Sequence, residues 1–262
     1  MSSTFTAPVL AQDRLLGQVL DTQGFAVLSA EQVVRLAGAS LPDMLAWRNA
    51  WNDLPPDAYL RDGGRYRRRR HSCFVVRNDA VTLSPQRPHW QPVQYNALHG
   101  GLQRHFEPML PDLVAQHAWS ALLVWLAQVA SVLRGAQPWY VEAHQFRIDT
   151  TDGIGRPTPE GAHRDGVDLV AVFLVDRSGV KGGETRVFDA DGPQGQRFTL
   201  TEPWSVLLLD DARVIHESTP IQPLQGQGHR DTLVITLRSV GFQGDDALAS
   251  TAMASATAEP AH

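Results

Sequence analysis

The segment "EGAHRDGVDLV" sets His163, Asp165 and Asp168 just ahead of an apolar run that continues to Val175. A histidine and a carboxylate two residues apart share one face of an extended chain, so His163 and Asp165 can reach the same cation. Asp168 lies at odd spacing from both and would point away in a regular strand. A third ligand must come from elsewhere, and the best candidate is His216 in "LLLDDARVIHESTPI". Two imidazoles and one carboxylate on one side of an ion leave positions open on the other, the facial arrangement suited to non-haem Fe(II) oxygenases. A bare H-x-D is most often a pair of solvated turn residues. Its weight here comes from "GHRDTLVITLRSV", where Arg230 opens a strongly apolar strand with Thr232 on the same face. A guanidinium and a hydroxyl so placed can hold a carboxylate by a two-pronged charge-assisted bond.

These residues need a scaffold that brings distant segments together. After a long helix expected from about Asp112 to Arg134, the segments "PWYVEAHQFRI", "DLVAVFLVDR", "GETRVFD", "QRFTLT", "WSVLLLDD", "RVIHESTPI" and "DTLVITLRSV" follow one another. They are rich in β-branched residues, split by Gly, Pro and Asp turns, with no helix between them. That favours a sandwich, barrel or jelly roll over a βαβ sheet. Upstream, "GFAVLS" reads as a strand and "LPDMLAWRNAWNDL" as a helix ended by Pro55 and Pro56. One domain is expected over residues 1–242, a helical N-terminal half buttressing an antiparallel β core. The small and polar stretch 243–262 has the composition of a disordered tail.

The words "TPEGAHRDGVDLV", "GGETRVFD", "RVIHESTPI" and "HRDTLVITLRS", joined upstream by "YRRRRHSCF", "QYNALHGGLQRHFEP" and "VEAHQFRI", resemble the iron(II)- and 2-oxoglutarate-dependent dioxygenases. More narrowly they resemble the bacterial branch that contains L-isoleucine 4-hydroxylase and related free amino-acid hydroxylases. The resemblance covers about Tyr59 to Val240. It implies a mainly β fold with α, a double-stranded β-helix (jelly roll) core buttressed by N-terminal helices. It implies that His163, Asp165 and His216 bind Fe(II), and that Arg230, helped by Thr232, holds the distal carboxylate of the cosubstrate 2-oxoglutarate, with O2 as oxidant. The implied reaction hydroxylates an unactivated C–H of a small amino acid or derivative and releases succinate and CO2. Gln145, alternating with Arg147 on "HQFRI", is a candidate to line the barrel and hydrogen-bond the cosubstrate, with His144 on the opposite, structural face. Two alternatives stay open: a non-redox metal-binding jelly roll, and a 2-oxoglutarate oxygenase for another substrate class.

"RYRRRR" invites a nucleic-acid reading. The net charge of −5, from 23 basic and 28 acidic residues, gives no general attraction to nucleic acid or anionic membrane. On a strand, Arg67 and Arg69 share one face. Either can bind a substrate carboxylate, and a solvated edge strand is the plain alternative. Glu160, three residues before His163 in a Pro/Gly-rich loop, can accept a substrate ammonium, although loop carboxylates are usually only solvated. Trp90, Tyr95 and Asn96 are weaker candidates for the substrate side. Asp210 and Asp211 are placed to orient the His216 region. Gly182 and Gly183 suit a hairpin turn. The single cysteine, Cys73, excludes an internal disulfide and reads as a small core residue. "MSSTFTAPVLAQDR" lacks the pattern of a secretory signal, so a cytoplasmic location is expected. The expected partner is a small molecule, a free amino acid, with no nucleic acid and no membrane; a homodimer is the assembly considered.

Overall fold

The computed structural model describes residues 5–96, 98 and 100–245. The tail expected over 243–262 lies outside the described residues from 246 onward. The helices are α1 (Leu16–Gln23), α2 (Ala30–Ala37), α3 (Leu41–Ala46), α4 (Pro111–Val114) and α5 (His117–Arg134). The strands are β1 (Phe25–Leu28), β2 (Arg67–Arg77), β3 (Ala80–Leu83), β4 (Trp139–Asp149), β5 (Leu169–Ser178) and β6 (Val180–Gly182). They continue with β7 (Thr185–Asp189), β8 (Gly195–Phe198), β9 (Val206–Asp210), β10 (Val214–Ser218), β11 (Ile221–Pro223) and β12 (His229–Arg238).

Seven strands form one antiparallel sheet in the order β1-β9-β5-β12-β4-β2-β3. A second sheet, β10-β7-β8, and the pair β11-β6 form the opposing layer. Apart from the exposed edge strand β3, the large sheet is buried on both faces, which explains its near-continuous apolar strands. Ala171, Leu208, Leu233, Ile235 and Leu237 pack outward among the helices. Val170, Leu174, Leu207 and Leu209 pack inward against Val187, Phe198 and Val214 of the smaller sheet. This is the expected jelly-roll core with helical buttress.

Three local expectations need correction. The helix begun at Leu41 tightens into a 3-10 turn over Trp47–Trp51 and stops there, before the two prolines. There the Trp51 indole donates to the carbonyls of Phe146 and Thr232 at 3.1 and 3.2 Å, tying the helical layer to β4 and β12. The long helix is broken between α4 and α5 because Gln116 is extended, its side-chain oxygen accepting from the Trp47 indole at 2.7 Å. Gly182 and Gly183 do not close a hairpin: they pass the chain from β6, paired with β11, to β7, paired with β10. Both have positive φ (79° and 65°), and a side chain at 182 would collide with the Pro220 carbonyl oxygen.

Candidate active site

The inner faces of three neighbouring strands build one wall of a cavity. In register, Arg230, Thr232 and Val234 of β12 lie opposite Ile148, Phe146 and His144 of β4. These in turn lie opposite Arg67, Arg69 and His71 of β2. The opposing side carries His216 on β10 and the loop before β5. An isolated bridge joins His163 to His216 by two backbone hydrogen bonds, of 3.0 and 2.9 Å, so two residues distant in sequence become neighbours. The Asp211 carboxylate accepts from the backbone N–H groups of Asp165, Gly166 and Val167 at 2.9, 2.7 and 3.1 Å. Asp211 therefore fixes the turn that carries Asp165, rather than an imidazole. Asp210 is ion-paired with Arg134.

Asp165 Oδ1 is 3.7 Å from His163 Nε2, and Asp165 Oδ2 is 3.8 Å from His216 Nε2. These separations are too long for hydrogen bonds. They suit atoms that share one cation through bonds of about 2.1 Å each. His163 Nδ1 lies 3.0 Å from the Gly161 carbonyl, which fixes a proton on that nitrogen and makes Nε2 the atom available to a cation. Burial, with the neighbouring His163, pushes His216 down to about 3; burial also lowers His163, but Asp165 and Glu160 outweigh it and hold that imidazole above its usual value, so a cation bound there takes the place of a proton. The donor set fits a divalent iron. Asp168 faces away: its carboxylate accepts from the Ser239 N–H and hydroxyl at 2.8 and 2.9 Å.

Two other groups of ligating side chains come together among the described residues. In one, Glu142 Oε2 is 2.9 Å from His71 Nε2 and 2.7 Å from His89 Nδ1. Arg69 Nη2 contacts His144 Nδ1 at 2.8 Å, which places the His144 proton on Nε2. Hydrogen-bond distances and an adjacent guanidinium make this a polar network rather than a cation site. Burial pushes His71, His89 and His144 down, His89 to about 3. Burial raises Glu142, but His89 and His71 outweigh it and hold the carboxyl well below its usual range. In the other group, Asp176 and Asp231 are already engaged by Arg48 and Arg147, at 2.6 and 2.7 Å.

The cavity, about 910 Å³ counted to its open mouth, brings together His163, Asp165, His216, Arg230, Thr232, Arg67, Arg69 and Glu160. Arg230 is 3% exposed, and its Nε and Nη2 have no hydrogen-bond partner among the described residues. Burial, reinforced by Arg177, pushes its guanidinium down to about 10. Arg67 and Arg69 differ. Arg67 Nε donates to Asp57 at 2.7 Å, while its Nη2 has no partner among the described residues. Arg69 lies 3.9 Å from that carboxylate, stacked between the rings of Phe106 and Phe146 at 3.8 and 4.5 Å, with its Nε unpartnered. Glu160 Oε2 is buried without a partner. Asn96 lines the cavity, whereas Trp90 and Tyr95 do not.

Gln145 is not brought to the cavity, and the expected facing of β4 is reversed. His144, Phe146 and Ile148 point inward. Gln145 is fully buried on the other face, and Arg147 there pairs with Asp231. Period-two alternation marks the two faces of such a strand but not which is inner when both are buried. Arg104, Gln91 and Gln243 also line the cavity and carry no sequence signal, because they sit on irregular segments.

The 2OG-Fe dioxygenase family model matches residues 48–236, which span the wall strands, the His163–Asp165 turn, His216 and Arg230. The chain belongs to that family. It is a 2-oxoglutarate-dependent dioxygenase that uses Fe(II), 2-oxoglutarate and O2, and the non-redox alternative falls away. The dioxygenase is similar to the crystal structure of a BsmA homologue from Methylobium petroleophilum PM1. Identity is 50%, covering 92% of this chain and 99% of that one, with a TM-score of 0.85. Two further structures share the fold. IDO from Bacillus thuringiensis is 18% identical, with 86% and 98% of the chains covered and a TM-score of 0.69. The Fe(II)/α-ketoglutarate-dependent dioxygenase TqaL is 21% identical, with 88% of each chain covered and a TM-score of 0.67. No curated protein matches the chain. No helix among the described residues is long and apolar enough to cross a membrane.

Proposed function

We propose that this dioxygenase, as one domain over residues 1–242, hydroxylates an unactivated C–H of a free, zwitterionic amino acid. In this reading it works like the amino-acid hydroxylases that its sequence resembles. One observation carries the reading: a buried guanidinium, Arg69, and a buried carboxylate oxygen of Glu160 face the same cavity with polar atoms unpartnered. They are complementary to the carboxylate and the ammonium of one small molecule. Arg67, committed to Asp57, holds the wall beside Arg69.

His163, Asp165 and His216 would hold the iron, and Arg230 with Thr232 the distal carboxylate of 2-oxoglutarate. When bound, these groups couple oxidative decarboxylation to hydroxylation: substrate C–H, 2-oxoglutarate and O2 become C–OH, succinate and CO2. The protein's part is to orient the C–H bond and exclude water. The test is aerobic incubation with Fe(II), ascorbate, 2-oxoglutarate and each of the twenty amino acids. Substrate-dependent succinate with a product one oxygen heavier is expected, and it should be lost in Arg69→Met. Turnover of none of the twenty refutes the substrate class.

A further inference from the structure

Gln91 lies in the irregular segment between β3 and α4, outside the ligand set and the groups assigned to substrate and cosubstrate. It is 7% exposed, and its side chain spans two parts of the site. Its Oε1 accepts from Arg104 Nη2 at 2.9 Å and from Asn96 Nδ2 at 3.1 Å. Its Nε2 donates to Asp165 Oδ1 at 3.1 Å. The amide orientation is dictated chemically: a guanidinium only donates, so Oε1 must face Arg104 and the NH2 end must face the carboxylate. Arg104 is 2% exposed with its Nε unpartnered, and its backbone is bonded both ways to His89, at 2.9 and 3.0 Å. Among the described residues it has no carboxylate partner by hydrogen bond or ion pair, and it lines the cavity.

We propose that Gln91 is a positioning residue that ties Arg104, on the substrate side of the cavity, to the carboxylate of Asp165. This rests on Asp165 being a metal ligand. A carboxylate that gives one oxygen to a cation leaves the other to be fixed, and outer hydrogen bonds of this kind typically change metal affinity 10- to 100-fold. The arrangement also has a consequence for loading. A substrate carboxylate that draws the Arg104 guanidinium competes with Gln91 Oε1 for the same donor. Occupancy on the substrate side is thereby felt at the metal ligand, and the coupling is reciprocal.

The experiment measures Mn2+ binding to the metal-free full-length protein, by the electron paramagnetic resonance signal of free Mn2+, with no other ligand present. Gln91→Leu and Gln91→Ala should each weaken Mn2+ about 10- to 100-fold. Arg104→Ala should weaken it by a similar factor although Arg104 does not touch Asp165, and Arg104→Lys should restore part of the loss. The double variant Gln91→Leu/Arg104→Ala should bind no more weakly than the worse single one, because both changes break one chain. Unchanged affinity in folded Gln91→Leu overturns the proposal, as do purely additive losses in the double variant. Asp165→Ala separates the two levels: if it still binds Mn2+ at the wild-type affinity, the ligand assignment itself fails.

Discussion

Replacing Arg230 with Met should stabilise the empty protein and abolish its response to 2-oxoglutarate. Arg230 is 3% exposed, and burial together with Arg177 lowers its guanidinium from 12.5 to about 10. At ~1.4 kcal/mol per pKa unit, the charge costs the native state about 3 kcal/mol at neutral pH. The unfolded chain bears no such cost, so the penalty counts against folding until a counter-charge arrives. Methionine keeps much of the apolar stem and removes the charge. In urea unfolding without metal or cosubstrate, Arg230→Met should therefore match the wild type or exceed it by up to about 3 kcal/mol. With Mn2+ in place of iron, 2-oxoglutarate at about one hundred times its dissociation constant should stabilise the wild type by about 2.7 kcal/mol. Removing one partner of a buried ion pair costs roughly 3–5 kcal/mol, or about two to four orders of magnitude in affinity. The variant should then show almost no shift at the same concentration. A ligand-free variant clearly less stable than wild type would make Arg230 a structural strut. An unchanged 2-oxoglutarate shift would remove it from the cosubstrate site.

The remaining predictions concern the metal and pH. His163→Ala and Asp165→Ala should each abolish stoichiometric Fe(II) or Mn2+ binding by equilibrium dialysis, whereas Asp168→Ala should keep it, since Asp168 bonds Ser239 instead; loss of metal in Asp168→Ala contradicts the assignment. His89, pushed down to about 3 by burial and Arg104, stays neutral in the native protein while the unfolded chain takes up a proton below its ordinary value of 6.5. Its contribution to stability is therefore complete above that value and is lost as pH falls towards the native value, amounting to about 1.4 kcal/mol by about pH 5.5. His71 and His144 shift in the same direction. Urea unfolding at neutral pH and at about pH 5.5 should show this loss, reduced by one proton's worth in His89→Gln; an identical pH dependence in the variant refutes the neutral assignment.

The parts of the site that sequence made legible are those governed by strand alternation and by chemistry that few residues perform. His163 and Asp165, two apart in the loop before β5, lie together around one point, while Asp168 is turned to Ser239. Arg230 and Thr232 share a face by strand alternation and both line the cavity. Alternation was silent on the sign of β4, because Gln145 and His144 are both buried, one towards the helices and one towards the cavity. It was silent also on Arg104 and Gln91, which reach the cavity from a segment without period. The choice between Arg67 and Arg69 needed the third dimension: Asp57, ten residues before Arg67, takes one guanidinium and leaves the other between two rings. The switch of sheets at Gly182-Gly183 follows from where β11 lies, which no local pattern encodes.

The distribution of unsatisfied groups ties fold to function. Buried polar atoms in native proteins are nearly always partnered, and an orphan costs roughly 1–3 kcal/mol. Here Arg230, Arg67, Arg69, Arg104 and Glu160 each keep at least one buried polar atom without a partner among the described residues, and all five line one cavity. The frame around them is closed tightly, by the Trp51 bonds to β4 and β12 and by the three amide bonds to Asp211. A rigid frame stops the wall from collapsing to satisfy its own orphans. The orphans must then be satisfied by what enters: one carboxylate for Arg230, another for Arg67, Arg69 and Arg104, and an ammonium for Glu160. Binding thus recovers energy that folding left uncollected, and only a ligand set with this pattern of charges recovers all of it.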